Sequence, residues 1–238
     1  MDKYKKLLAT AKDTVHQAME LLTSIRSDTH QFSFCEDLPR EMKAAADQLI
    51  ETSILENLRL TDIGILSEES GEEGIQNDNS LRWIVDPLDG TVNFVRGIGP
   101  CAISVALWKG STPIFGVIGE YPSRNIFWGG EIFGAFVNDE VIKVSGLCNV
   151  GQSVLCTGFP SRYDFSTTST AEFIKIFSRY GKVRMLGAAS LSLIQVARGS
   201  AESYLEDEIM IWDVAAGLAI VEGAGGEFQL SPGRVRHS

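Results

Sequence analysis

Apolar residues recur at helical spacing through the first 25 positions: Leu7, Leu8, Ala11, Val15, Ala18, Met19, Leu22 and Ile25. Positions three and four apart share one face of a helix, so 3–25 is predicted as an amphipathic helix with one buried side. Residues 28–40 are polar and irregular, with Pro39 near the end, and read as a loop. A second helix is expected over 41–58, with Leu49, Ile50, Ile54 and Leu58 inward. The texture then turns to short apolar runs. Strands are expected at 63–67 and at 81–85, the latter ending at Asp86. Further strands are expected at 102–108, 114–118, 125–128 and 135–137. Turn signals separate these last four and close the series: Lys109-Gly110, Tyr121-Pro122-Ser123, Gly129-Gly130 and Asn138-Asp139. Their spacing predicts an antiparallel meander of four or five strands. Residues 76–80 read as a turn. Beyond 150, strands at 154–158, 183–185 and 201–205 alternate with helices at 169–180, 189–198 and 213–222. The alternation predicts a layered α/β sandwich. A boundary near 150 divides it into an N-terminal half (1–150) and a C-terminal half (151–238) that together complete one site.

Composition narrows the field. The 238 residues are 44% hydrophobic and 22% charged, ordinary for a globular chain. The longest apolar run, 101–108, is far short of the ~20 residues a membrane helix needs. The N-terminus opens on Lys-rich amphipathic sequence rather than a signal-peptide core. Together these read as a soluble cytoplasmic protein. The net charge is −10, which argues against a nucleic-acid partner, since that needs a basic stripe. Arg179, Lys182 and Arg184 form one local basic group that reads as solvated surface. Cys35, Cys101, Cys148 and Cys156 show no metal-ligand spacing and read as reduced, mostly buried thiols.

The chemistry concentrates in the run Trp83-Ile84-Val85-Asp86-Pro87-Leu88-Asp89-Gly90-Thr91. Two carboxylates stand three residues apart after a buried strand, and a Gly-Thr turn follows. Recessed carboxylates need a partner, because an unpaired buried charge is costly. The local segment offers only Arg82, so a cation is the expected partner. Oxygen-only ligands favour a hard ion such as Mg²⁺. The Gly90-Thr91 amides can hold phosphate oxygens, and the Thr91 hydroxyl can orient a water. Glu68 and Glu69 follow another strand, and Asp213 opens the last helix. Taken singly, Asp47 and Glu206 read as solvated residues and Gly187 as a turn glycine.

These residues match a known pattern. Asp86-Pro-Leu-Asp-Gly-Thr-Val-Asn-Phe94 resembles the first signature of the inositol monophosphatase family, and Trp212-Asp-Val-Ala-Ala-Gly-Leu-Ala-Ile-Val-Glu-Gly-Ala-Gly-Gly226 resembles its second. Leu66-Ser-Glu-Glu-Ser70 is similar to its Glu-Glu motif. Order and spacing hold over residues 40 to 226. The resemblance implies a five-layered αβαβα sandwich and a phosphatase that works by water attack without a covalent intermediate. It implies two or three Mg²⁺ ions on Glu68, Asp86, the Leu88 carbonyl, Asp89 and Asp213. It implies phosphate held by Gly90 and Thr91, with Thr91 and Asp47 positioning the water and Glu68 assisting. Gly187, Ala188, Ala189 and Glu206, with Asp89 and Asp213, are implied to line the substrate pocket. Relatives are commonly lithium-sensitive homodimers.

The sequence also departs from the family. The family's loop lysine, about eleven residues before the Asp47 position, is replaced by Glu36, and Lys43 is the nearby cation. The usual Asp-Leu-Val-Thr wording is absent from 40–46. The chain ends soon after Gly226, so the last strands of the sheet are expected to be shortened. The expected substrate is a small sugar or polyol phosphate monoester of the inositol-1-phosphate type. Fructose-1,6-bisphosphate, histidinol phosphate and a heptose phosphate remain open. Val92-Asn93-Phe94 argues against 3′-phosphoadenosine nucleotides, whose phosphatases tend to carry Lys-Glu-Phe there. A non-catalytic regulatory or binding protein on the same fold is the alternative from another class.

Overall fold

Helix α1 (Asp2–Ser27) buries the whole predicted stripe from Leu7 to Ile25. The computed structural model describes residues 1–27, 34–38, 41–75, 77, 79–159, 165–233 and 237, and the side chains of 27–45 lie outside that description. Residues 34–38, expected as part of a loop, form strand β1 (Phe34–Leu38), which pairs antiparallel with β2 (Glu41–Ala44). The rest of the expected loop, 28–33 and 39–40, lies outside the described residues. Helix α2 therefore spans Ala45–Arg59 rather than starting at 41. Glu41-Met-Lys-Ala44 are adequate helix formers, but the ladder with β1 satisfies their backbone instead, and tertiary pairing overrides propensity.

Ile50, Ile54 and Leu58 are fully buried on α2, as the pattern predicts, whereas Leu49 is 49% exposed. Leu49 lies about 100° round the helix from Ile50, off the stripe that Ala46, Ile50, Ile54 and Leu58 define. Helices α1 and α2 pack on one another and on one face of a large mixed sheet.

That sheet has eight strands in the order β10-β9-β8-β7-β6-β5-β3-β4. Its members are β3 (Gly64–Ser67), β4 (Gly71–Glu73), β5 (Leu81–Asp89), β6 (Cys101–Lys109), β7 (Thr112–Tyr121), β8 (Ile126–Gly130), β9 (Gly134–Val137) and β10 (Glu140–Val141). Strands β6 to β10 form the predicted meander, five strands long. Short helix α3 (Thr91–Arg96) leaves β5 at the site. Alternation sorts the sheet's two faces. Trp83, Val85, Val105, Leu107 and Val117 face α1 and α2. Ile84, Ala102, Ala106, Trp108 and Ile118 face the other way.

The second face is covered by α5 (Ala189–Ala197) and α6 (Ile211–Gly223). Residues 214–221 of α6 are all buried, as expected for a helix enclosed on every side. Beyond these helices lies a parallel sheet, β12-β11-β13, of β12 (Lys182–Arg184), β11 (Val154–Thr157) and β13 (Ser203–Leu205). Helix α4 (Thr167–Phe177) links β11 to β12, and α5 links β12 to β13. The two crossovers run in opposite directions across the sheet. Right-handed crossovers therefore place α4 and α5 on opposite faces. The layers are helix, sheet, helix, sheet, helix.

Arg179, Lys182 and Arg184 are all exposed, and the two that lie in β12 stand on an edge strand, where charge blocks unwanted strand pairing. Among the described cysteines, Cys101 and Cys156 are buried and Cys148 is exposed, in keeping with mostly buried thiols. Cys148 follows Gly146-Leu147 in a stretch outside the regular elements, where no sheet or helix covers it. Among the described residues no helix is long and apolar enough to cross a membrane.

Candidate active site

Strand β5 continues through Asp86 to Asp89 rather than stopping at Asp86, and its register explains the site. Asp86 pairs with Ser104 and Asp89 with Ala102, so three steps on β5 face two on β6. In a regular strand, residues three apart point to opposite faces. The extra residue, a β-bulge at Pro87-Leu88, turns Asp89 onto the same face as Asp86. Pro87 has no N–H to give to a ladder and fits a bulge well.

Asp86 and Asp89 meet Asp213, from the first turn of α6. One carboxylate oxygen from each lies within 4.8 Å of the others. Asp86 Oδ1 accepts the Leu88 N–H at 2.9 Å. Its Oδ2 is buried and meets no hydrogen-bond donor, while the Glu68 carboxyl lies against Asp86 within hydrogen-bond reach. Ser104 Oγ, opposite on β6, is likewise buried without a partner. Arg82 does not serve the acids, because its Nη2 donates to the Gly110 carbonyl at 3.0 Å.

Asp89 accepts from the Ala189 N–H at 3.2 Å, the Ser190 N–H at 2.7 Å and the Ser190 hydroxyl. Ala188, at the N-cap of α5, has no side-chain cap of its own, so Asp89 caps that helix from across the site. Asp213 accepts the Met210 N–H at 3.2 Å at the start of α6.

Electrostatics follow from burial. Burial, reinforced by Glu68, Asp89 and Asp213, pushes the Asp86 carboxyl well above the usual range. Asp213 is raised well above it too, by burial and then by Asp89 and Glu68. Asp89 rises only to about 6, because the Ser190 and Ala189 hydrogen bonds offset part of its burial. Crowded buried acids that repel one another call for a compensating positive charge. The donors are all oxygen, and Asp86 Oδ2 is buried without a hydrogen-bond donor. The residues present fit a hard divalent cation.

Beside the acids, Gly90 takes φ +85° to open α3. A Cβ there would lie 3.2 Å from the Gly187 carbonyl and 3.2 Å from Ala188 Cβ, so only glycine gives both the turn and the close approach. The Thr91 hydroxyl lies 3.0 Å from the Leu88 carbonyl and 3.5 Å from Asp47 Oδ2. Asp47 is 4% exposed on α2, so it is no solvated helix residue. Glu206 is half-buried, with its Oε2 accepting from the Tyr204 hydroxyl at 2.9 Å. Burial raises its carboxyl to about 7, with Tyr204 opposing and Asp89 adding. Asn93 ties the two sides of the pocket together, donating to the Pro100 carbonyl at 2.9 Å and the Leu186 carbonyl at 2.8 Å. Cys101, behind Gly90, has its thiol pushed up to about 12, chiefly by burial.

The structure thus brings together Glu68, Asp86, Leu88, Asp89, Gly90, Thr91, Asp47, Gly187, Ala188, Ala189, Glu206 and Asp213. Glu36 and Lys43 have strand backbone in β1 and β2, and their side chains lie outside the described residues. Sequence reasoning missed Ser190, Tyr204 and the bridging role of Asn93. Asn93 alone stood inside a quoted motif. The other two gain their meaning only from partners brought close by folding.

A five-layered α/β sandwich with an acidic floor and a Gly-Thr turn beside it defines a metal-dependent phosphoric monoester hydrolase. Comparison with known proteins agrees. The model of the inositol monophosphatase family matches residues 3–236. A fructose-1,6-bisphosphatase/inositol-1-monophosphatase of Aquifex aeolicus is 32% identical over 97% of this chain and 88% of its own length. An inositol-1-monophosphatase of Rhizobium meliloti is 35% identical over 79% of this chain and 71% of its own. A Nus factor SuhB of Xylella fastidiosa is 33% identical over 76% of this chain and 66% of its own. Among solved structures, the SuhB protein of Bartonella henselae superposes with a TM-score of 0.84 at 30% identity, covering 92% of this chain and 85% of its own. The chain belongs to the inositol monophosphatase family.

Proposed function

We propose that the protein is a Mg²⁺-dependent phosphatase that hydrolyses a small sugar or polyol phosphate monoester, of the inositol-1-phosphate type, by direct water attack. The observation that carries this reading is the convergence of Asp86, Asp89 and Asp213 within 4.8 Å beside the Gly90-Thr91 turn. Glu68, Asp86, the Leu88 carbonyl, Asp89 and Asp213 would hold two or three ions. Bound divalent ions supply acidification of water and neutralisation of charge on the phosphate and the leaving oxygen.

The chain's own groups do the rest. The Gly90 and Thr91 N–H groups hold phosphate oxygens. Thr91 Oγ1 donates its proton towards Asp47 Oδ2 or the Leu88 carbonyl, which leaves its lone pairs free to accept from the attacking water. That hydrogen bond turns the water's own lone pair towards phosphorus. Glu206, Asp89 and the 187–189 backbone then select the alcohol portion of the ester. In this reading the 1–150 half supplies most of the metal floor and the 151–238 half completes it with Asp213 and closes the pocket, with two chains paired as in the family's homodimers.

A second reading, activity on fructose-1,6-bisphosphate, is favoured by the relative that aligns with 97% of this chain and carries both activities in its name. Phosphate release from a panel separates the two: inositol-1-phosphate, fructose-1,6-bisphosphate, histidinol phosphate, a heptose phosphate and 3′-phosphoadenosine phosphate, with Mg²⁺ and with chelator. Release is expected with Mg²⁺ only, fastest on inositol-1-phosphate. No release from any ester would sink the enzymatic reading and leave a binding protein on the same fold.

A further inference from the structure

Glu51 is a buried acid that the proposed chemistry does not use. It is 5% exposed, on α2, four residues after Asp47. Four residues are about one helical turn, so both carboxylates leave the same edge of the helix. Asp47 reaches the Thr91 hydroxyl. Glu51 reaches the hairpin turn between β3 and β4. Its Oε1 accepts from the Ser67 hydroxyl and from the Ser70 N–H at 3.1 Å. Its Oε2 accepts from the Ser70 hydroxyl at 2.6 Å. Three hydrogen bonds therefore hold the Glu51 carboxyl to Ser67 and Ser70.

The clamped residues bracket the turn Glu68-Glu69-Ser70. Ser67 pairs with Gly71 across the hairpin, so the loop is three residues long and its start and end are both fixed to Glu51. A further tether runs from the Glu68 N–H to the Val85 carbonyl at 3.2 Å. Glu68 is the residue whose carboxyl lies against Asp86. A three-residue turn anchored at both ends has little freedom to swing the side chain of its first residue, Glu68.

We propose that Glu51 is a positioning residue for the metal floor: by clamping Ser67 and Ser70 it holds the Glu68 carboxyl against Asp86. One helix edge thereby sets both sides of the reaction, the water side through Asp47 and the metal side through Glu51. This deepens the proposed function and rests on its reading of the acids as a Mg²⁺ site.

The test is Mg²⁺ uptake by Glu51→Gln and Ser70→Ala, measured by calorimetry without substrate, alongside the Mg²⁺ dependence of turnover. Glu56→Gln, exposed on the same helix, is the control. Residues that orient ligating side chains typically change metal affinity by about 10–100-fold, so Glu51→Gln is expected to weaken Mg²⁺ binding by about tenfold or more. Ser70→Ala is expected to weaken it less, in the same direction. Turnover at saturating Mg²⁺ should recover most of its wild-type value in both. A merely structural Glu51 would lower the melting temperature and leave Mg²⁺ affinity unchanged, and that result overturns the inference. If Glu51→Gln does not fold, Ser70→Ala on the exposed turn decides by the same criterion. Wild-type protein that takes up no Mg²⁺ overturns the metal reading and this inference with it. Wild-type uptake matched by both variants overturns this inference alone.

Discussion

Asp213 stands under two opposed demands. It presents a carboxylate to the shared floor, yet burial and its neighbours Asp89 and Glu68 disfavour its charge. Removing that charge should therefore separate function from stability. Asp213→Asn keeps a side-chain oxygen for the Met210 N–H and relieves repulsion on Asp86, Asp89 and Glu68. The expected outcome is phosphatase activity lower by about 100-fold or more, a loss larger than that of residues behind the ligands. The metal-free variant should nevertheless melt higher than wild type at pH 8. Sites that concentrate like charge commonly trade stability for activity in this way. Thermal melts in chelator, with a turnover assay on the same preparations, check both halves. A variant that melts lower at pH 8 would mean that Asp213 holds α6 mainly as a cap.

At the level of elements, the pocket depends on α3 and the turn before α5 staying in contact, and Asn93 is the tie. It is buried and satisfies two carbonyls, one 93 residues away in sequence. Asn93→Ala leaves the Pro100 and Leu186 carbonyls without that donor, so a loss of about 1–3 kcal/mol is expected in urea unfolding. The same change frees Gly187 beside Gly90, so KM for the ester should rise more than kcat falls. The element scale also shows what could be read in advance. Helices α1 and α6 and the meander were legible, because periodicity and turn residues are local signals. The residues of the floor were legible because they lie in contiguous motifs. The bulge at Pro87-Leu88 was not, since it exists only relative to the register of β6. The pairing of β1 with β2 was hidden behind good helix formers at 41–46. Ser190 and Glu51 were invisible for a further reason: each is an ordinary helix residue until folding brings Asp89 or the Ser67–Ser70 turn against it.

For the whole molecule, the acids couple folding, protons and metal. Asp89 moves from 3.8 to about 6 and Glu206 from 4.5 to about 7 on folding, both chiefly through burial. A carboxyl raised in the folded state binds its proton more tightly there than in the unfolded chain. Its stabilising contribution is therefore present at low pH and lost as pH rises through the folded value. The metal-free protein should lose stability between about pH 4 and pH 7 as these carboxyls ionise. A divalent ion binds the ionised form and opposes the loss, by mass action on the folded state. Protons compete with the ion for the raised carboxyls, and they compete more strongly as pH falls. Added Mg²⁺ should consequently raise the melting temperature strongly at pH 8 and little at pH 5. Paired thermal scans with and without 5–10 times the half-saturating Mg²⁺ concentration measure this directly. An equal Mg²⁺ effect at both pH values would mean that the ion binds surface acids and not the buried floor built by the β5 bulge and the first turn of α6.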